Sequence, residues 1–120
     1  MLWSAARIGL LAYLGLSAVI FFGQSSLVFQ PGPNRESSAT PADIGLAFEA
    51  RMLTTADAER LDSWYLPARG TSDSRGLVIF FHGNAGSMTD RLDYLRMFGA
   101  LGLSTLIIDY RGYGRSSGKA

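Results

Sequence analysis

The chain has 120 residues, which leaves room for one small domain at most. Hydrophobic residues make up 48% of it and there are 14 glycines, a composition typical of an α/β domain with tight turns. The 11 basic and 10 acidic residues are scattered, which argues against a nucleic-acid-binding protein and against a polybasic membrane-binding patch. The sequence has no cysteine and one histidine, so disulfides and thiolate metal sites are excluded, and no metal or cofactor is expected.

The chain opens with an apolar segment. Residues 8–22 carry no charge, and the stretch from Leu2 to Gly23 reaches the roughly 20 residues that span a bilayer if Arg7 extends toward the headgroups. Arg7 and the α-amino group precede the segment, whereas the first positive charge after it is Arg35, which predicts a single-pass anchor with a cytoplasmic N-terminus and an exported (periplasmic or extracellular) domain. A secretory signal cleaved near residues 23–25, which would release a secreted domain, and a buried core helix are the alternatives.

The sequence divides into three parts. Residues 1–24 are the anchor or signal, residues 25–44 form a linker rich in Pro, Gly and Ser, and residues 45–120 form the α/β domain. There is no internal repeat.

The domain begins with a predicted antiparallel hairpin. Its strands, Leu46–Leu53 and Leu61–Leu66, show the alternation and aromatic content typical of strands. A polar loop over residues 69–76 then leads into residues 77–81, which are Leu-Val-Ile-Phe-Phe. Five consecutive large apolar residues predict a strand that is buried on both faces.

A βαβ unit is predicted to follow. Apolar residues recur at helical spacing over residues 89–101, with Ser87 or Thr89 able to cap the start of the helix and Gly102 able to end it. A second apolar strand is predicted over residues 103–109. Strand, helix and strand over about 30 residues predict a right-handed parallel unit.

The segment His-Gly-Asn-Ala-Gly, residues 82–86, lies where the buried strand gives way to the helix. Ligand crevices of open α/β sheets lie at such ends. Glycines on both sides of Asn84 allow the main chain to turn an N–H into the crevice, where it can stabilise an oxyanion during acyl transfer. An ordinary tight turn and a phosphate-binding loop are the alternatives, although the segment matches neither GxGxxG nor the P-loop pattern.

A second glycine-rich segment, residues 109–116, follows the last strand and reads Asp-Tyr-Arg-Gly-Tyr-Gly-Arg-Ser. Arg111 is expected to pair with Asp109 or with a main-chain carbonyl. Tyr110 and Tyr113 offer flat walls to a pocket, so Tyr110, Arg111 and Tyr113 are candidate pocket-lining residues. A solvated connector is the alternative.

Together, residues 80–86 and 108–116 closely resemble the two signatures of the α/β-hydrolase superfamily, and more narrowly its N-terminally membrane-anchored serine aminopeptidase-like or dienelactone-hydrolase-like members. Residues 54–57 and 63–67 resemble the first hairpin of that subfamily. The resemblance implies a Ser-Asp-His hydrolase of small-molecule esters, thioesters or amides, with the backbone N–H of Asn84 as one oxyanion donor. It assigns loop support to His82, Gly83, Ala85 and Gly86.

Two residues that look catalytic are given other roles. In the α/β-hydrolase order the histidine base comes last, so His82 is expected to brace the loop through a hydrogen bond to the backbone. Residues 114–118 match GxSxG, but Ser116 lies seven residues beyond Asp109, away from a strand-to-helix turn, so it is expected to be a loop residue.

The sequence departs from the family pattern at two places. Ala58 stands where the family usually has Gly, which should strain the hairpin turn modestly. The chain also stops at Ala120, before an elbow strand, an acid or a final histidine. We therefore expect an N-terminal fragment, or a truncated gene product, that is inactive alone. The alternative function is a membrane-tethered binding module without catalysis.

Overall fold

The computed structural model describes residues 2–32, 39–68 and 74–119, and it divides into two units, residues 1–30 and 31–120. The central linker residues 33–38 and the loop residues 69–73 lie outside the described residues. The first unit is one helix, α1 (Leu2–Val28), which runs past residue 24. It is long and apolar enough to cross a membrane by length and composition, and none of its apolar window is buried.

The described residues of the second unit form four strands and one α-helix. The strands are β1 (Glu49–Thr54), β2 (Arg60–Leu66), β3 (Leu77–Phe81) and β4 (Ser104–Ile108), and the helix is α2 (Leu92–Ala100). The strand order in the sheet is β1-β2-β4-β3, with antiparallel pairs except for the parallel pair of β3 and β4. The predicted hairpin and the predicted parallel βαβ unit are therefore confirmed.

The turn of the hairpin has the three-residue form that ends in a left-handed residue. The N–H of Thr55 donates to Glu59 O at 2.9 Å, and the N–H of Ala58 donates to Thr55 O at 3.0 Å. Ala58 has φ 65°, and no other non-glycine residue among those described has a positive φ. The strain expected at this position is thus present in the backbone.

The core lies between the sheet and α2. Its buried apolar residues are Leu46, Trp64, Leu66, Met88, Leu95 and Ile107. The first strand starts only at Glu49, because Leu46 packs into this core before the strand begins. Pro41, near the end of the predicted linker, is also buried and lies in a 3-10 turn over Pro41–Ile44. The first strand therefore begins three residues later than predicted and ends one residue later, at Thr54.

The expected burial of β3 on both faces is wrong. Leu77, Ile79 and Phe81 are 57%, 52% and 62% exposed, whereas Phe80 packs against rings of α2. The reason is the position of β3 at the edge of the sheet, where α2 covers one face and no described element covers the other. Five apolar residues in a row cannot distinguish this arrangement from a central strand.

The predicted helix over residues 89–101 is divided into two parts. A 3-10 turn over Met88–Arg91 comes first and α2 follows it. Gly102 (φ 74°) ends the helix as predicted, because the N–H groups of Gly102 and Leu103 donate to Gly99 O and Phe98 O, the pattern of a Schellman motif.

Candidate functional site

The loop of residues 82–87 follows the carboxyl end of β3 and leads into the 3-10 turn before α2. Gly86 has φ 77°, and a Cβ at this position would lie 2.3 Å from Asp90 Oδ2. The carboxylate of Asp90 also accepts the N–H of Ser87 at 2.8 Å. A larger residue at position 86 would therefore be strained by the left-handed conformation and would also collide with the Asp90 carboxylate.

Four consecutive carbonyl groups of this loop accept hydrogen bonds from side chains. The Tyr110 hydroxyl donates to His82 O at 2.6 Å, and Nδ1 of His82 lies 2.7 Å from Gly83 O. The hydroxyl of Tyr113 donates to Asn84 O at 2.8 Å and Arg91 Nη2 donates to Ala85 O at 2.5 Å. Each hydrogen bond stabilises one orientation of its carbonyl, and therefore of the planar peptide group to which that carbonyl belongs.

His82 is 3% exposed and packs against the rings of Tyr110 and Tyr113, with centroids 4.5 Å and 5.7 Å away, while the two tyrosine rings also contact each other. Since a carbonyl oxygen can only accept, the contact with Gly83 O places a proton on Nδ1. The other ring nitrogen, Nε2, lies 3.0 Å from Asp109 Oδ1, although the angle there is not that of a hydrogen bond. His82 is thus buried and held through its Nδ1 hydrogen bond, whereas Nε2 lies close to Asp109 without a hydrogen bond.

Asp109 directly follows β4 and is 1% exposed. Its Oδ1 also accepts the N–H of Met88 at 2.7 Å. Gly114 (φ 48°) packs so closely on the carboxylate that a Cβ there would lie 2.0 Å from Asp109 Oδ2. The carboxylate of Asp109 therefore lies close to His82, the first residue of the loop, and accepts a hydrogen bond from Met88, which directly follows the loop.

Ser116 is 7% exposed, and its hydroxyl lies in two hydrogen bonds with the backbone. It donates to Asp109 O and accepts from the N–H of Asp62, both at 2.9 Å. The hydroxyl therefore joins the segment after β4 to β2.

Arg111 does not pair as expected. Instead of Asp109 or a main-chain carbonyl, it binds Asp57 of the hairpin turn with both terminal nitrogens at 2.5 Å, and Nη2 lies 3.3 Å from Thr55 Oγ1. The Asp109 carboxylate points into the interior, toward His82 and Met88, and so is directed away from Arg111. Hydrogen bonds from Arg111 and from Thr55 hold the pKa of Asp57 well below its usual range, and the hydrogen bond with Asp57 raises the pKa of Arg111.

Asp62 is a second buried carboxylate, on β2, and is 4% exposed. Its Oδ2 has no hydrogen-bond partner and lies 3.5 Å from Arg115 Nε. Burial raises the pKa of Asp62, and the charge of Arg115 opposes that shift in part.

The residues singled out in the sequence are brought together by the pairing of β3 with β4. Tyr113 is 1% exposed and contacts the loop from inside, while the Tyr110 ring stacks on Phe81. A cavity of about 320 Å³ beside the loop is lined by Phe80, Gly83, Arg91 and Tyr94. No group of three or more His, Asp or Glu that could hold a metal ion occurs within residues 2–32, 39–68 and 74–119.

Sequence reasoning missed two residues that hold the loop. The sequence pattern marks Asp109 only as the end of a predicted strand, and it does not single out Arg91. The only signal in the sequence is that each is a charged residue next to an apolar element. This signal does not show which group the charge contacts, because the contact depends on the strand pairing.

Comparisons with known proteins place this arrangement in a family, although no protein-family model matches the chain. Protein bem46 of Schizosaccharomyces pombe is 34% identical over 96% of the chain and 43% of its own length. The α/β-hydrolase domain-containing protein WAV2 of Arabidopsis thaliana is 33% identical over 87% of the chain and 34% of its own length. Among solved structures, the Pyrococcus furiosus esterase Pf2001 superposes with a TM-score of 0.59 at 25% identity, covering 70% of this chain and 32% of the esterase.

The chain thus spans less than half the length of these relatives. Its hairpin, its parallel βαβ unit and the glycine-rich loop after β3 correspond to one part of a larger hydrolase sheet. On the strength of these sequence and structure matches, the chain belongs to the α/β-hydrolase superfamily.

Proposed function

We propose that this chain is the N-terminal part of a membrane-anchored serine hydrolase and supplies its oxyanion loop. The backbone N–H of Asn84 is one oxyanion donor for an ester, thioester or amide substrate. The nucleophile, acid and base come from the remainder of a longer protein, consistent with a match to only 43% of bem46. The 120 residues alone are therefore inactive.

The observation that carries the proposal is the set of four side-chain hydrogen bonds to the carbonyls of residues 82–85. An oxyanion hole works by preorganisation, because donors that are already aimed at the developing charge need no reorganisation during the reaction. In a trans peptide the N–H points away from the C=O. Carbonyls held by the protein therefore fix the direction of the N–H groups at the end of β3.

The remaining site residues support this loop. His82, Gly83, Ala85 and Gly86 shape it, and the segment with Tyr110, Arg111 and Tyr113 lies against it or against the hairpin turn. Ser116 is not the nucleophile in this proposal, because its hydroxyl is engaged with two backbone groups inside the domain.

The apolar helix α1 is the membrane anchor, with its N-terminus in the cytoplasm and the hydrolase domain exported. The chain has no cysteine, so single cysteines can report the topology. We expect a membrane-impermeant maleimide to label Lys119→Cys on intact cells and to label Ser4→Cys only after lysis. The reverse pattern would refute the orientation, and labelling of secreted protein lacking residues 1–24 would show a cleaved signal.

The activity is tested in the longer polypeptide of which these residues form the N-terminal part. We expect a fluorophosphonate probe to label it and a short-chain nitrophenyl ester to be hydrolysed. Asn84→Pro removes the N–H and should lower kcat about 100- to 1,000-fold. Asn84→Ala, the matched control, keeps the N–H and the carbonyl bonded to Tyr113, and should remain within a few-fold of the parent.

The 120-residue chain itself should not react with the probe. Labelling that disappears in Ser116→Ala would contradict the assignment of Ser116. Failure of the longer polypeptide to react, combined with cooperative unfolding of residues 30–120 by themselves, would favour a tethered binding module.

A further inference from the structure

We propose that the cavity beside the loop is a binding site for a carboxylate group, which Arg91 holds. In the proposed hydrolase this site selects a substrate that carries a carboxylate within reach of its ester, thioester or amide bond. The selection of substrate rests on the proposed function, whereas the binding of a carboxylate does not.

The cavity has the size and the position of a subsite for one part of a substrate. Its volume of about 320 Å³ lies at the lower end of the range of small-molecule sites, and it is lined by Phe80, Gly83, Arg91 and Tyr94. Gly83 directly precedes Asn84, the proposed oxyanion donor. A group bound in the cavity would therefore lie next to the residue that contacts the reacting carbonyl.

The space beside Gly83 is open. Apart from its chain neighbours, no heavy atom lies within 4 Å of the position that a Cβ of Gly83 would occupy. Gly83 is itself exposed, and so is the ring of Tyr94, to 50%. A ligand can therefore enter the cavity from solvent without displacing a side chain at Gly83.

Arg91 brings a positive charge with unused donors to this cavity. A guanidinium has five N–H donors, and among the described residues Arg91 has one hydrogen-bond partner, Ala85 O, 2.5 Å from Nη2. Within the described part of the chain, Arg91 forms no ion pair. The carboxylate of the preceding residue, Asp90, accepts the N–H of Ser87 instead. The guanidinium is therefore available to an anion.

The lining of the cavity favours a carboxylate among anions. Two parallel N–H groups of a guanidinium match the two oxygens of a carboxylate. Arg91 is the one charged residue of the lining, so its single charge balances a monoanion. The rings of Phe80 and Tyr94, with centroids 5.4 Å apart, form an apolar wall for the carbon skeleton of the ligand. The ligand class is therefore a carboxylate on a short aliphatic or aromatic body.

The test uses two variants of Arg91 and one matched control. Arg91→Gln removes the charge, and Arg91→Lys keeps the charge without the paired N–H groups. The control is Arg96→Gln, the same substitution at an exposed residue of α2 that lies 3.5 Å from Asp93 and does not line the cavity. Because Arg91 also holds Ala85 O, each comparison is between a charged and a neutral ligand, on which a looser loop acts equally.

The first measurement needs no activity. The ¹⁵N-labelled full chain in zwitterionic micelles is titrated at pH 7 with phenylacetate and with neutral phenylacetamide. We expect phenylacetate to shift the Gly83 amide and the Arg91 Nε signals with a Kd of about 1–10 mM, and phenylacetamide to bind about 10-fold more weakly. Arg91→Gln should weaken phenylacetate binding about 10-fold, with Arg91→Lys between it and the parent.

Two results of the titration would overturn the site. One is equal binding of phenylacetate and phenylacetamide by the parent chain, a comparison that needs no variant to fold. The other is an equal loss of phenylacetate binding in Arg91→Gln and Arg96→Gln, which would show a general effect of charge.

The second measurement is kinetic and uses the longer polypeptide with two pairs of esters. The nitrophenyl half-ester of adipate and the hexanoate ester differ in charge on the acyl group, and the acetates of hydroxybenzoate and hydroxybenzamide differ in charge on the leaving group. In at least one pair, Arg91→Gln should lower the charged-to-neutral ratio of kcat/KM about 10-fold, and Arg96→Gln should leave it unchanged.

Equal losses of kcat/KM for the charged and the neutral ester of both pairs would show that Arg91 acts only by holding the loop, and would overturn the selection of substrate. If the longer polypeptide hydrolyses none of the esters, the proposed function fails. The titration then still decides whether the cavity binds a carboxylate.

Discussion

Replacement of Ala58 by glycine should stabilise the domain, because Ala58 is in the left-handed region with φ 65°. An L-residue in this conformation costs about 1–2 kcal/mol relative to glycine. Glycine in turn loses about 0.4–1 kcal/mol through the greater freedom of the unfolded chain. The two effects leave a net gain in the free energy of unfolding of about 0.8 kcal/mol at the centre of these ranges, with bounds of about 0 and 1.6 kcal/mol.

For a unit of the size of residues 31–120, a gain of this magnitude corresponds to a rise in Tm of about 2–8 °C. The assay is thermal unfolding followed by the fluorescence of the buried Trp64, in a Trp3→Phe background that removes the other tryptophan. The same turn offers a matched control. Ala56 is also exposed but has no positive φ, so Ala56→Gly should lower Tm. Equal effects of Ala56→Gly and Ala58→Gly would refute the assignment of strain to Ala58.

Three further changes are expected to have distinct results. The hydrogen bonds of Asp57 with Arg111 and Thr55 lower the carboxyl pKa well below the ordinary 3.8, so the stability they contribute is complete above that value and is lost as the pH falls toward the folded-state pKa. Asp57→Asn should therefore flatten the decrease in Tm between about pH 5 and pH 2. Ser116→Ala leaves two buried backbone groups, the N–H of Asp62 and the carbonyl of Asp109, without their partner. The free energy of unfolding, measured by urea denaturation, should fall by about 1–3 kcal/mol. A smaller loss would mean that water replaces the hydroxyl. Gly114→Ala places a Cβ 2.0 Å from a carboxylate oxygen, at a residue with φ 48°, and should lower the free energy of unfolding by about 3 kcal/mol. In Gly83→Ala the new Cβ meets no atom within 4 Å, so the free energy of unfolding should change by less than about 0.5 kcal/mol. Similar values for the two variants would contradict the close packing at Gly114.

Much of the fold could be predicted because its signals are local. The hairpin is marked by alternation on both sides of a polar turn, and the parallel unit by two apolar strands around an amphipathic helix that Gly102 ends. The conformation of Ala58 was expected from the family resemblance, because the family usually has Gly at this position of the hairpin turn. These features depend on a few neighbouring residues.

The contacts of the site could not be predicted in the same way because they join distant residues. Arg111 binds Asp57 across 54 positions of sequence, and the partner becomes evident only when β2 is known to pair with β4. The exposure of β3 depends equally on its place in the strand order, which its own five apolar residues do not encode. The bracing role of His82 was expected, but Asp109 behind it was not, since a strand-terminal aspartate usually points to solvent.

The strand order has a consequence for the synthesis of the chain. β4 lies between β2 and β3, so β3 leaves the ribosome before the only described strand that pairs with it exists. The hairpin of β1 and β2 can form at once, because its partners are neighbours in sequence. The nascent chain therefore exposes five unpaired apolar residues until residue 108 has left the ribosome. The loop after β3 can form its hydrogen bonds with Asp109, Tyr110 and Tyr113 only after these later residues have also been synthesised.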